Sequence, residues 1–245
     1  MKHAVVVGGS KGLGKEVVER FLDRGFKVTV LSRSAPINQK NLNHVFLDLN
    51  KLDRIGDAIK EILSIGGKVR YLVFCQRYRG DGDSWAGELQ VSLTATRELI
   101  NALADEFCLS EDCAIGVVSS VYAQLVGSSQ PDSYHVAKAA LNQLVKYNAW
   151  VLGRKGVRIN SIMPLTYLKD ETKEYYLSND ALMALYEDLV PLRRMGSAKD
   201  AANLLDFLCS EKASFINGQS IFIDGGVSVI WPEELARQTL ENPLK

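Results

Sequence analysis

The chain has 245 residues, 47% of them hydrophobic and 24% charged, a balance that suits a globular domain with a sizeable core. Lysine plus arginine and aspartate plus glutamate both number 29, so the formal net charge is zero and nothing favours a nucleic-acid or membrane-surface partner. No apolar run reaches membrane-spanning length, and four cysteines (Cys75, Cys108, Cys113 and Cys209) without metal-ligand spacing read as reduced thiols of a cytoplasmic protein with no metal site.

The N-terminus has one lysine and a short apolar run that stops in glycines, which describes a buried strand at residues 4–7 rather than a signal peptide. GGSKGLG follows at once, and Leu13, Val17, Val18, Phe21 and Leu22 then recur with helical period. Strand, glycine turn and helix form the context a dinucleotide pyrophosphate requires: Gly8, Gly12 and Gly14 let the backbone turn and the phosphates approach, while Ser10, Lys11, Leu13 and the helix N-terminus surround them.

A second strand, residues 26–31, ends in Ser32-Arg33, where an acidic residue would hold a free ribose 2′-hydroxyl. Arg33 and Lys11 instead favour a 2′-phosphate and predict NADP(H) over NAD(H), the alternative being two solvated surface charges. A third strand at 45–47 leads to Asp48-Leu49. Asp48 could accept from an adenine amino group or cap the helix expected over 52–65.

The fourth strand, 71–74, is followed by CQRYRGDGDSWAGELQ, a glycine-rich loop giving way to a helical pattern that reaches about residue 107. Residues 114–118 make a fifth strand, ending at Ser119-Ser120. A helix over 133–153 carries Tyr134 and Lys138, four apart and so on one face. A phenol near pKa 10 needs help to exchange protons at neutral pH, and a neighbouring ammonium in a dry cleft is the simplest agent. Taken alone, Tyr-x-x-x-Lys also describes an aromatic ring packed under a lysine stem. A sixth strand over 157–162, an irregular stretch 163–196 with a short helix at 180–189, a helix at 198–210 and a last strand at 219–223 complete the alternation. That pattern predicts one domain, an α/β Rossmann-type doubly wound, mostly parallel seven-stranded sheet with helices on both faces. The ligand cleft lies at the carboxyl ends of the strands. Residues 163–196 are expected to form a substrate lid and 227–245 a tail with a short helix starting at Pro232.

On GGSKGLG, the serine with YxxxK, VRINSIMP and the stretch from Pro191 to Gly226, the chain resembles the short-chain dehydrogenase/reductase family, most of all its 3-oxoacyl-carrier-protein reductase type. The resemblance implies an NADP(H)-dependent oxidoreductase that reduces a ketone or oxidises a secondary alcohol, with Tyr134 as acid/base. Lys138 would lower the pKa of Tyr134 and hold the nicotinamide ribose, and Ser120, rather than Ser119, would orient the carbonyl. Cys75, Asn160, Pro164 and Thr166 would lie beside the cofactor. The resemblance also implies a small-molecule carbonyl or alcohol substrate and a homodimer or homotetramer.

Three departures stand out. Cys75-Gln76-Arg77 replaces the family's Asn-Ala-Gly step and is expected to crowd the cofactor; Ser92 replaces a catalytic asparagine that holds a proton-supplying water; Pro164-Leu165 replaces Pro-Gly. These leave open a catalytically impaired NADP(H)-binding regulatory protein, or a reductase of a sugar or nucleotide-sugar in surface-polysaccharide synthesis. Arg77 and Arg79, flanking Tyr78, could bind an anionic substrate group or be solvated charges. His135 is expected to point off the catalytic face, and Cys75 to pack rather than react.

Overall fold

The computed structural model describes residues 2–168 and 173–241, with side chains to residue 237. In chain order the elements are β1 (His3–Val7), α1 (Gly12–Asp23), β2 (Lys27–Ser32), β3 (Leu42–Phe46), α2 (Ile55–Gly66), β4 (Tyr71–Phe74) and α3 (Ser84–Glu88). A π-helical segment, Leu89–Thr94, joins α3 to α4 (Ala95–Leu103). Then come β5 (Cys113–Val118), α5 (Asp132–Gly153), β6 (Val157–Pro164), β7 (Tyr167–Leu168), α6 (Lys173–Leu177), α7 (Asp180–Leu189), β8 (Gly196–Ser197), α8 (Ala198–Leu208), β9 (Ser220–Ile223) and α9 (Pro232–Glu241).

Seven strands pair in parallel in the order β3-β2-β1-β4-β5-β6-β9. All five residues of β1 and all eight of β6 are buried, as expected where helices cover both faces of a parallel sheet. Two cores follow. On one face Ile55, Ile59 and Ile62 of α2, Leu99 and Leu103 of α4, and Leu141 and Val145 of α5 pack on Val5, Leu72 and Ile115. On the other, Val17 and Phe21 of α1 and Leu205 and Leu208 of α8 cover Val6, Val28 and Val73. Arg24 closes the second core, its guanidinium 5.1 Å from the Phe26 ring centroid and 5.3 Å from that of Tyr71, while Nη1 donates to the Cys209 carbonyl.

The ends of the strands opposite the cleft are tied by buried charge. Arg158 of β6 donates to both oxygens of Asp112 at 2.9–3.1 Å, and the Tyr71 hydroxyl donates to the same carboxylate at 3.1 Å. The seven expected strands and the helix at 180–189 are all present. Three details differ from the sequence reading. Leu52–Arg54 is a 3₁₀ turn before α2, the helix after Trp85 is interrupted by the π segment, and β7 pairs with β8 as a two-residue ladder at the base of the expected lid. Lys169, also expected in that lid, lies outside the described residues.

Candidate active site

The glycine turn is held by close backbone approach. Gly8 and Gly12 have φ of +77° and +52°, values that side chains disfavour. A Cβ on Gly14 would stand 2.2 Å from the Gly8 carbonyl oxygen, and one on Gly8 would stand 2.8 Å from the Gln76 amide nitrogen. The turn therefore presses on itself and on the segment after β4, leaving the first amides of α1 facing a cleft of about 860 Å³. Ser10 Oγ lies 3.2 Å from Ser34 Oγ, linking the turn to the end of β2, and Lys11 and Arg33 both line the cleft there. A dinucleotide pyrophosphate fits this cradle on two observations, glycines a Cβ would overfill and an open helix N-terminus, with two cations beside it. Asp48 Oδ1 accepts from the Asn50 amide nitrogen and side chain; burial favours its neutral form, but these bonds, Arg33 and Lys51 hold the pKa below the usual carboxylate value. Asp48 thus closes an Asx turn on the cleft wall rather than capping α2. Leu49, Cys75, Pro164 and Thr166 line the same cleft.

At the other end stand Ser120, Tyr134 and Lys138. The two serines after β5 separate cleanly. Ser119 Oγ donates to the Lys138 carbonyl at 3.1 Å and pins α5 to the sheet, whereas Ser120 Oγ accepts from the Tyr122 amide and faces the cleft with Tyr134. Lys138 Nζ sits 5.5 Å from the Tyr134 ring centroid and donates to the Val118 carbonyl at 3.0 Å.

The expected lowering of the phenol by Lys138 is not what the geometry produces. Burial raises the Tyr134 pKa; the Ser120 hydroxyl and the charge of Arg77 pull it down, Glu88 and Tyr122 push it up, and the net direction is upward. The ammonium lies over the ring and is spent on a backbone carbonyl. Lys138 itself is brought down to about 8, chiefly by burial, with Glu88 opposing and Arg77 reinforcing that shift. The charge expected of Lys138 at the phenol comes from Arg77, whose guanidinium lies 5.0 Å from the Tyr134 ring centroid and whose Nη2 donates to Gln130 Oε1 at 2.6 Å.

The segment after β4 forms part of the cleft wall. Gln76 lines the cleft with its side chain tied inward: its Nε2 donates to Thr96 Oγ1 at 2.7 Å, while its Oε1 is buried without a hydrogen-bond partner. Tyr78 anchors the loop, lying against α3 where Gly87 leaves room; a Cβ on Gly87 would come within 2.2 Å of the ring. Arg79 is exposed at the cleft mouth. Asn160, expected beside the cofactor, instead ties β6 to the turn before β9, donating to the Ile216 carbonyl and accepting from the Gln219 amide. His135 accepts from the Gly127 amide through Nε2 and packs 4.7 Å from the Tyr122 ring, away from the cleft as expected. Burial pushes the Cys75 thiol up to about 12, which suits packing and not nucleophilic attack.

Ser92 does not face the cleft. It is fully buried, and its Oγ donates to Glu88 Oε2 at 2.7 Å. Glu88 is 4% exposed, and sequence reasoning overlooked it because a lone glutamate in a helical stretch reads as a solvated residue. The available signal was its i,i+4 spacing to Ser92 among Leu89, Val91 and Leu93, which places both on an inward face.

Comparisons with known proteins bear on the family and the fold. The family model described as enoyl-(acyl carrier protein) reductase matches residues 7–228. A 3-oxoacyl-[acyl-carrier-protein] reductase of Staphylococcus epidermidis is 27% identical over 244 residues, covering 92% of this chain and 98% of its own. The ligand-free aldohexose dehydrogenase of Thermoplasma acidophilum superposes with a TM-score of 0.84 at 26% identity, covering 94% of this chain and 95% of the other. A short-chain dehydrogenase family protein from Francisella tularensis, at 24% identity and a TM-score of 0.83 over 94% of this chain and 100% of the other, shares the fold.

Proposed function

The chain belongs to the short-chain dehydrogenase/reductase family of oxidoreductases, which bind a nicotinamide cofactor, and from that premise we propose that it reduces a ketone, or oxidises the corresponding secondary alcohol, with NADP(H). The observation that carries the reading is the grouping of Ser120, Tyr134 and Lys138, with the lysine packed on the phenol ring, in one cleft with the glycine turn. When bound, the cofactor supplies or takes the hydride. Everything else falls to the chain. Ser120 and Tyr134 hold the substrate oxygen between two hydroxyls, and Tyr134 gives that oxygen its proton in reduction or removes it in oxidation. Lys138, anchored on Val118, fixes the ring. Lys11 and Arg33 support the choice of NADP(H), because two cations stand where an acid would hold a free ribose hydroxyl.

Arg77 supports an anionic group, carboxylate or phosphate, on the substrate. Cleft residues from the 163–196 segment, Tyr176 and Leu189 among them, support its role as a lid. A sugar substrate remains the second reading, favoured by the likeness to the aldohexose dehydrogenase. We also place the protein in the cytoplasm, on four free thiols, and as a homodimer or homotetramer; no helix among the described residues is long and apolar enough to cross a membrane.

Cofactor oxidation against a panel of ketones, with and without acidic groups, tests the reading. Tyr134→Phe should lower turnover by about 10²–10⁴-fold with cofactor affinity kept. Tight cofactor binding without turnover on any substrate would instead favour a binding protein.

A further inference from the structure

Arg77 is fastened in two directions. Its guanidinium stands over the Tyr134 ring, 5.0 Å from the centroid, and its Nη2 donates to Gln130 Oε1 at 2.6 Å, a bond that ties the segment after β4 to the loop after β5. That loop is steadied in turn: the Tyr122 amide donates to Ser120 Oγ, and the Tyr122 hydroxyl lies 2.7 Å from Ser129 Oγ. Because Gln130 offers its oxygen to Arg77, its Nε2 remains a donor, and the guanidinium keeps further N–H groups after giving one to Gln130. Arg77, Gln130 and Tyr134 all line the one cleft, and among the described residues no carboxylate forms an ion pair with Arg77. A cation held still on a cleft wall, with no acid of the chain beside it, is a receptor for an anion.

The span from that receptor to the reacting group is short. The phenol oxygen projects from the edge of the ring that Arg77 covers, so guanidinium and hydroxyl are about 6 Å apart. An acid group on the first and a carbonyl oxygen on the second then belong to one small molecule, with at most about four bonds between the two carbons. We propose that the Arg77–Gln130 pair selects short oxo acids, in which a free carboxylate stands a few bonds from the ketone, for reduction to hydroxy acids. This rests on the reductase reading. The planar fork of a guanidinium matches a planar carboxylate; a phosphate dianion would call for a second fixed cation, and Arg79 is exposed with no hydrogen bond among the described residues to fix it. An ester or thioester of the same acid is neutral at that place and leaves the charge of Arg77 unanswered. In the reduction the carbonyl carbon takes a hydride from NADPH, which becomes NADP⁺, as the C=O double bond becomes single. The oxygen takes the Tyr134 proton, water restores it, and the carboxylate is unchanged.

The test sets each acid against its own methyl ester, so that the compared compounds differ in charge at the place Arg77 reads. Pyruvate, acetoacetate and levulinate are assayed by NADPH oxidation beside their methyl esters, with dihydroxyacetone phosphate as the phosphate probe and a mid-chain oxostearate as the long one. The full-length protein should prefer at least one short acid to its ester by about 10²-fold in kcat/KM. Arg77→Met should bring that ratio close to unity, whatever it does to turnover itself. Should Arg77→Met not fold, Gln130→Glu, which sets a carboxylate against Arg77, should erase the preference in the same way. Acids and esters reduced alike, a preference that survives in whichever variant folds, or a preference for the phosphate or the long acid overturns the proposal and leaves the reductase reading intact. If no compound turns over, the reductase reading falls, and calorimetry with the same acids and esters on the NADP⁺-loaded protein reads the site alone. Binding of acid over ester that is lost in the variant upholds the carboxylate site; equal binding, or none, overturns it.

Discussion

Arg77 is the residue whose neighbourhood most changes the chemistry expected of Tyr134. Its charge lowers the phenol pKa while burial raises it. Replacing it with alanine should move the acidic limb of alcohol oxidation to higher pH, because Tyr134 must be ionised to act as base and would ionise later. The same replacement should weaken only those substrates that carry an anionic group. A pH-rate profile with neutral and acidic alcohols checks both. Arg33 makes a second prediction: Arg33→Glu should raise the Michaelis constant for NADPH and lower that for NADH, as measured by paired kinetics. At this scale the sequence was informative where a motif fixed both residue type and spacing, as in the glycine turn and in Tyr134 with Lys138. It was silent on Glu88 and misleading on Asn160, whose partners, Ile216 and Gln219, lie more than fifty residues away.

Elements were legible for a simple reason. Each inner strand of the sheet is a short, mostly apolar run buried on both faces, and each large helix carries one apolar stripe. The π segment had no such mark, since its extra residue per turn depends on where α3 and α5 pack and not on local preference. Nor did the β7–β8 ladder, which is two residues long on each side. The element most exposed to a single substitution is the far end of the sheet. Asp112→Ala would leave the Arg158 guanidinium and the Tyr71 hydroxyl without their shared acceptor, and stability should drop by about 3–5 kcal/mol in urea denaturation. Helix α8 offers a milder case. Ser197 accepts from the Asp200 amide, and Asp200 answers through Ser197 and through a two-pronged bond with Arg194. Ser197→Ala should cost about 1 kcal/mol. The Arg194 hydrogen bond, ahead of burial, which opposes it, holds the Asp200 pKa below its ordinary value. A depressed carboxylate stabilises the fold above its unfolded pKa, so this contribution should be intact at neutral pH and disappear as pH falls below about 4.

As a whole molecule, the protein presents one conspicuous unpartnered face. Val136, Tyr147 and Trp150 lie along the outer side of α5, at 44%, 64% and 68% exposure, opposite the face that packs on the sheet. Such a stripe fits a second copy related by a two-fold axis, consistent with the expected homodimer or homotetramer. Light scattering should give at least twice the chain mass, and Trp150→Asp should return a monomer; a wild-type monomer at micromolar concentration would refute the assembly. The expected short helix in the C-terminal tail is α9, which begins with Pro232, Glu233 and Glu234 as a helical first turn should.

Tyr78 resting in the hollow left by Gly87 gives the entrance a fixed gauge. Arg77 beside that ring, tied to Gln130, is set before any guest arrives, so discrimination among guests would operate as a sieve with little loss of freedom on capture. A methyl group on Gly87 would unseat the ring and loosen the segment that carries Arg77. Kinetics would then register an injury to selectivity from a lesion on a neighbouring helix, and a mutational survey could mistake that hinge pin for a participant in the chemistry.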